Sequence, residues 1–320
     1  MKLLRSIDTK KAASLAGTIL MLVSLVFVAE RILSMRHDLD LAIFTSPRTL
    51  VALFAIACVE AVAVILLSLN FRGLVTDVSG VPVDRRLAVK VYAVSNLYKY
   101  IPGGVMYVLG RNQMAVQTDE LGHGKVALAT VLEGVTLVAA ASILSTVYAF
   151  HYSFYYFRQI QLPPMAGLIL VFMILLSAPV LYLCRRRLKT ALEKLKDSTK
   201  DFRLRMLFKR LGTMLLLINL SPLTFLVTLM ILGQPLYLEL GVTVMGLFIL
   251  SWLAGFLTPG APSGLGIREA VLLMFLSATV NEGILLSAIV THRILAVTGD
   301  VIAYGIALAY AKWPKKPLTR

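Results

Sequence analysis

The sequence predicts an all-α, polytopic helical membrane protein with about eight membrane segments, including broken or re-entrant helices at two Pro-Gly motifs. Three observations lead there. Of the 320 residues, 58% are hydrophobic and only 15% charged, against roughly 25% charged in a soluble globular chain, and mean hydropathy is +0.81. The apolar residues gather in blocks, several reaching the ~20 residues that a bilayer-spanning helix needs. Lys and Arg fall mainly between the blocks. A soluble enzyme, a disulfide-stapled secreted domain and a nucleic-acid-binding module are excluded as the main reading. Residues 1–320 are expected to form one integral membrane domain.

The net charge of +15 points to the membrane surface rather than to nucleic acid because of where it lies. Residues 185–210 hold 11 Lys/Arg against three acids, Glu193, Asp197 and Asp201. An excess of Lys/Arg in a short loop between apolar spans marks the cytoplasmic side, and it lies well against anionic lipid. Cys58 and Cys184 sit in or at the end of apolar blocks with no CxxC or His partner. They read as packing residues, and neither a metal nor a cofactor is expected.

Lys2, Arg5, Lys10 and Lys11 precede an uncharged run, 12–29, that has no small-x-small cleavage site. It reads as an uncleaved first helix with a cytoplasmic N-terminus. A mixed-charge outer loop, 30–48, leads to a second span, 50–69, with Glu60 at its centre. A basic stretch, 71–90, returns to the cytoplasm. Residues 88–111 are apolar but interrupted by Asn96, Lys99 and Pro102-Gly103-Gly104. Two spans follow, 126–150 with Glu133 inside and 165–184. Between them lies an aromatic bend (Tyr152, Phe154, Tyr155, Tyr156, Phe157) of the kind found at membrane interfaces.

Beyond the basic loop come 211–232 and 238–257, joined at 233–235. A Gly/Pro-rich segment, 258–266, precedes a short apolar helix, 270–280, and a last span, 284–311, carries His292, Arg293 and Asp300. Lys312, Lys315, Lys316 and Arg320 place the C-terminus in the cytoplasm. Cytoplasmic termini require an even number of crossings. Counting 270–280 as a crossing gives eight, with 88–111 re-entrant.

The two broken segments echo one another. Pro102-Gly103 is followed by Arg111 nine residues after its proline, and Pro259-Gly260 by Arg268 at the same offset. Gly104 and Gly110 enrich the first stretch, Gly264 and Gly266 the second. Proline removes a helix donor and glycine admits unusual dihedrals. Such breaks persist at membrane depth only where backbone is buried in protein or lines a wet cavity. Paired interruptions in two halves of a chain point to a substrate site, the plain alternative being turns at the membrane edge. Arg268 in the first turn of a helix adds its charge to the positive dipole end. An anion would neutralise both there, and free backbone N–H groups would bind phosphate. Glu269 is the alternative, an internal counter-ion.

The stretch Leu257-Thr-Pro259-Gly260-Ala-Pro-Ser-Gly264-Leu-Gly266-Ile-Arg268-Glu269-Ala270 resembles the signature of the lysylphosphatidylglycerol synthase transmembrane-region family, the flippase-like domain. Asn96-Leu-Tyr-Lys-Tyr-Ile-Pro102-Gly103-Gly104 followed by Arg111 resembles its first motif, and Glu133 and Arg293 sit where that family tends to place charges. One departure is visible. The family usually has Gly-Gly after its second proline, where this chain has Ala261-Pro262-Ser263. The resemblance implies handling of lipids, including aminoacylated phosphatidylglycerol and polyprenyl- or hopanoid-type lipids. The aminoacyl-transferase domain of the fused synthases has no counterpart here, so no enzyme activity is expected.

Charges at bilayer depth cost about 2.5–3.5 kcal/mol on insertion scales and face the bundle interior. Glu60, Glu133, Arg293 and Asp300 are the candidates. Two assignments stay open for each: an interhelical ion pair, or an arginine pair holding a lipid phosphate while a carboxylate handles a proton or a cationic headgroup. Arg293 and Asp300 are two turns apart on one face, so each needs a partner on another helix or on a ligand. His292 points off that face by roughly 100° and reads as a packed polar residue rather than a proton relay.

The expected function is a lipid translocator or lipid-binding transport protein of the cell (inner) membrane. Its partners are the bilayer and a lipid with an anionic headgroup, with no nucleic acid. The expected substrate site comprises Arg111, Arg268, Glu269 and the Pro-Gly elements Pro102, Gly103, Gly104, Pro259, Gly260, Gly264 and Gly266. Two alternatives remain. One is a polyprenyl-phosphate-dependent transferase, supported by Asp38 and Asp40 in the first outer loop. The other is an accessory subunit of a lipid-modifying enzyme or glycosyltransferase. No GxxxxGK[ST] nucleotide motif is present.

A cysteine placed at Ser198 is expected to stay unlabelled by a membrane-impermeant reagent added to intact cells. Labelling from outside would invert the predicted topology.

Overall fold

The computed structural model describes residues 46–100, 106–117, 121–156, 204–258 and 261–312. These residues are all helical or in turns, with no strand among them. Five helical stretches among them are long and apolar enough to cross a bilayer. The chain is a multi-pass helical membrane protein. The predicted spans 12–29 and 165–184, the Asp38–Asp40 loop and most of the basic loop lie outside the described residues.

Helix α1, Pro47–Ser79, opens with proline at its first position and closes on Gly80 at φ 74°, whose N–H bonds Thr76 O. Proline at the start and left-handed glycine after the end are the expected punctuation. At 33 residues it outruns the predicted 50–69. Its basic and acidic C-terminal third is held by partners: Arg72 Nε donates to Val83 O at 2.6 Å, and Asp77 pairs with Arg210 at 2.7 Å. Helix α2, Arg85–Leu97, is capped by Asp84, whose carboxylate accepts from Arg86 N. It ends in a 3-10 turn, Tyr98–Tyr100, and α3, Met106–Val116, follows. The predicted 88–111 segment is therefore a helix, a break and a second helix. Neither is long enough to cross alone.

Helix α4 covers His123–Tyr156. Helices α5, Leu204–Leu217, and α6, Leu220–Ile231, share one apolar stretch that begins inside the predicted basic loop. The interruption falls four residues before Pro222, whose ring excludes the carbonyl of Ile218 from helical register. Asn219 stabilises the break by donating to Leu215 O at 2.6 Å and accepting from Tyr148 OH at 2.7 Å. Helix α7, Leu238–Leu257, matches the predicted span. A second 3-10 turn, Pro262–Gly264, leads to α8, Ile267–Leu276, and then to α9, Glu282–Lys312. With ten residues, α8 has about half the length of a crossing. The predicted count of eight, which needed it, is not confirmed.

Helix α9 is the spine. It packs most extensively against α1 and also contacts α2, α6 and α8. Between α1 and α9 the interface is built from small residues, Ala57, Ala61, Gly299 and Ala303, all buried. Close backbone approach of this kind is how helices associate in lipid, where apolar burial alone gives no drive. Phe71, Leu74 and Tyr92 fill the space among α1, α2 and α4, and Phe225, Phe248 and Leu285 the space among α6, α7 and α9. Val51, Phe54 and Val301 face outward, as a lipid-exposed surface requires.

A Cβ at Gly299 would stand 2.6 Å from Glu60 Cβ and 2.9 Å from Ala57 O, whereas one at Gly305 meets nothing. Gly299→Val is expected to lower stability in detergent by about 1–3 kcal/mol, the cost of overpacking. Gly305→Val should leave the melting temperature close to wild type, and equal melting of the two would contradict the close approach.

Candidate functional site

Asp300 on α9 gathers the end of α2 and its turn. Its Oδ1 accepts from Asn96 Nδ2 at 2.7 Å, its Oδ2 accepts from Tyr100 OH, and Lys99 Nζ lies 2.7 Å from Oδ2. The side chains that interrupt the apolar run at 88–111 are thus the ones that fasten it to α9. Asp300 is buried while Lys99 is partly exposed, an amphipathic stem reaching a buried carboxylate.

The second break has unusual backbone. Ser263 lies at φ 52°, Gly264 at 67° and Gly266 at 83°. These dihedrals are routine for glycine and strained for serine. Gly264 also has to be small: a Cβ there would meet Gly255 Cα at 2.8 Å, and one on Gly255 would meet Arg268 Cγ at 2.7 Å. The glycines let the turn lie against α7 with the stem of Arg268 beside them. Helix α8 therefore begins with Arg268 and Glu269 in its first turn.

Arg293 reaches this turn from α9. Its Nη1 donates to Ser263 O at 3.3 Å and lies 3.3 Å from Glu269 Oε1. Glu269 is an internal counter-ion, but for Arg293 rather than for its neighbour. Arg268 sits over the Phe248 ring at 5.4 Å and takes part in no ion pair among the described residues. Arg293 Nη2 and Glu269 Oε2 are buried without hydrogen-bond partners. A cavity of about 30 Å³ opens here, lined by Arg268, Glu269, His292 and Arg293 with Phe225 and Phe248. It has room for about two waters. Two guanidinium groups facing one carboxylate leave one positive charge in excess.

On the far side of His292 lies Glu60. His292 Nε2 is 3.4 Å from Glu60 Oε1 and 3.1 Å from Thr224 Oγ1, and Thr224 donates to Glu60 in a short hydrogen bond. The imidazole packs edge-on against Phe225 and Phe248. Both Glu60 and Glu133 are buried, as the cost of lipid exposure predicts.

Glu133 forms a separate cluster. It pairs with Arg111 on α3 and accepts from Tyr92 OH at 2.9 Å. The rings of Tyr92, Phe71 and Tyr107 surround the Arg111 guanidinium at 4.2, 4.8 and 5.3 Å. Cation–π contact of this kind strengthens when desolvated. Arg111 is thus held within its own helix group. Among the described residues Arg111 and Arg268 share no partner and lie in separate clusters. The breaks themselves do meet: the turns Tyr98–Tyr100 and Pro262–Gly264 are in contact. Pro102, Gly103, Gly104, Pro259 and Gly260 lie outside the described residues.

Comparison with known proteins adds no assignment: no protein-family model matches the chain, and no curated protein matches it. Sequence reasoning missed Thr224, Tyr92, Tyr100 and Ser263. Three are hydroxyl-bearing side chains whose role depends on a carboxylate supplied by another helix, and Ser263 acts through its carbonyl.

Arg111→Ala and Glu133→Ala are each expected to destabilise by about 3–5 kcal/mol, because each leaves a buried charge unpaired. The double variant Arg111→Met, Glu133→Leu should recover much of the loss in a thermal-stability assay. Strictly additive losses would show that the two charges do not act on one another.

Proposed function

We propose that the chain is an integral membrane lipid translocator or lipid-binding transport protein, whose ligand carries an anionic headgroup bound at Arg268. One observation carries this: Arg268 faces a cavity inside the bundle with no carboxylate of its own. A half-buried guanidinium without an ion pair is costly, and a ligand phosphate or carboxylate relieves it. The N-terminus of α8 supports the same ligand. Arg268 and the free N–H groups of that first turn place positive charge where an anion gains from both.

The resemblance of both break motifs to the lysylphosphatidylglycerol synthase transmembrane-region family supports a lipid as the carrier of that anion. Broken helices whose ends meet at a polar cavity are also how transporters hold anionic substrates. At about 30 Å³ the cavity is the closed form of the site, and a headgroup enters as the α8 turn moves away from α9. The Arg293 contacts to Ser263 O and Glu269, both at 3.3 Å, are the interactions that open with it.

Arginine suits the role because its planar fork binds two oxygens at once, which lysine cannot copy. In reconstituted vesicles, Arg268→Ala is expected to slow phosphatidylglycerol transfer by at least about tenfold, the scale of one charge-assisted hydrogen bond. Arg268→Lys should fall between Ala and wild type, and phosphatidylcholine transfer should respond to neither. Unchanged phosphatidylglycerol transfer in both variants would overturn the proposal, as would a loss of thermal stability large enough to explain the slower transfer.

A further inference from the structure

Four carboxylates in or beside the described spans hold permanent cations. Asp77 holds Arg210, Glu133 holds Arg111, Glu269 holds Arg293 and Asp300 holds Lys99. Glu60 holds only His292. Histidine is the side chain whose charge changes between about pH 5 and 8. This pair also stands beside the cavity, with His292 in its wall. We propose that Glu60 and His292 form a proton-binding pair that takes up a proton when an anionic headgroup occupies the cavity. The inference rests on the lipid-site proposal above and adds the ion that moves with the lipid.

Hydrogen-bond accounting defines the empty state. Thr224 has a single O–H, yet its oxygen lies against Glu60 Oε1, 2.7 Å from Ser221 O and 3.1 Å from His292 Nε2. A hydroxyl donates once and accepts twice. The second donor at the cluster is therefore Nε2–H of His292, a tautomer assigned from its partners. A neutral imidazole and a carboxylate satisfy this arrangement. One further proton, placed on Glu60 or shared across the pair, supplies a third donor for the oxygens already gathered there.

Charge accounting defines the loaded state. Arg268 and Arg293 against Glu269 leave one positive charge beside the cavity, and Glu60 lies within electrostatic reach of Arg268. With His292 neutral, the Glu60 carboxylate balances that excess and the empty site is neutral. A monoanionic headgroup would make it negative by one charge, and uptake of a proton by Glu60–His292 restores neutrality. Net charge in a water-poor interior is costly, so the two events favour each other.

Among the described residues, no other charged group takes over this task. The groups facing the pair are Thr224 and Ser221 from α6, Arg268 and Glu269 from α8, and Arg293 from α9 itself. The rings of Phe225 and Phe248 close the remaining sides. Tyr100 comes within electrostatic reach of Arg268 but donates to Asp300, which Lys99 neutralises. Helices α2, α4 and α5 also pack on α1, and the ion pairs Arg111–Glu133 and Arg210–Asp77 are complete without Glu60 or His292.

Linkage then fixes the sign. If anion binding raises proton affinity, protonation raises anion affinity by the same factor. The full chain purified in detergent is titrated with short-chain phosphatidylglycerol by calorimetry, in two buffers of different ionisation heat and over a range of pH. The expected result is uptake of about one proton per lipid, with Kd weakening by about tenfold per pH unit once pH exceeds the titration range of the pair. Glu60→Gln removes both the uptake and the pH dependence, and it binds at alkaline pH where the wild type no longer does. Binding to the wild type without proton uptake, or the same pH dependence in Glu60→Gln, overturns the proton pair alone. If Glu60→Gln does not fold, the wild-type proton count decides. Failure of the wild type to bind phosphatidylglycerol at any pH overturns the lipid site and this inference with it.

Discussion

A charge placed among apolar helices has to find its partner inside the bundle, and here several of those partnerships are collected by one helix. α9 carries His292, Arg293 and Asp300 on neighbouring faces. Through them it holds Glu60 of α1, Glu269 and the turn before α8, and Asn96, Lys99 and Tyr100 at the end of α2. In lipid, apolar packing alone does not tell one helix arrangement from another. Directional polar contacts do, since leaving any of these groups unpaired is expensive. Small residues allow the contacts to form: without Gly299 the backbone of α9 would stand too far from α1, and without Gly255 and Gly264 the turn before α8 would not reach α7.

The exception to complete pairing is local. Lys99 and Asp300, Arg111 and Glu133, and Arg210 and Asp77 are closed pairs. Beside the small cavity two guanidinium groups face the one carboxylate in its wall, and buried polar atoms of charged groups, Arg293 Nη2 and Glu269 Oε2, are left without partners there. Arg111 Nε also lacks a hydrogen bond, but rings pack around its guanidinium. The two arginine clusters differ in what fills the space beside the guanidinium: aromatic rings around Arg111, a small cavity beside Arg268.

Much of the helical scaffold was legible because each described span is built on a long, largely apolar block. The block 238–257 coincides with α7, and the burial of Glu60 and Glu133 follows from the cost of exposing them. Boundaries failed where side chains of distant helices decide them. Residues 71–79 read as a loop because Arg72 and Asp77 are charged, yet Val83 O and Arg210 satisfy both and the helix continues. The short apolar helix was read as 270–280, whereas α8 spans Ile267–Leu276 and takes in Arg268 and Glu269. The turns Tyr98–Tyr100 and Pro262–Gly264, next to the two motifs with matching Pro-to-Arg offsets, meet in space. The offsets did not foretell that Arg111 would be enclosed by aromatic rings and Glu133, since pairing across helices leaves no trace in local spacing.

The central claim is that the excess positive charge at Arg268 selects an anionic headgroup. Native mass spectrometry of the protein released from membranes of mixed lipid tests this most directly. The account predicts phosphatidylglycerol or another anionic lipid enriched on the wild type over its share of the membrane, and that enrichment lost in Arg268→Ala. Equal retention by the two proteins, or a wild type that carries lipids in membrane proportion, would contradict it.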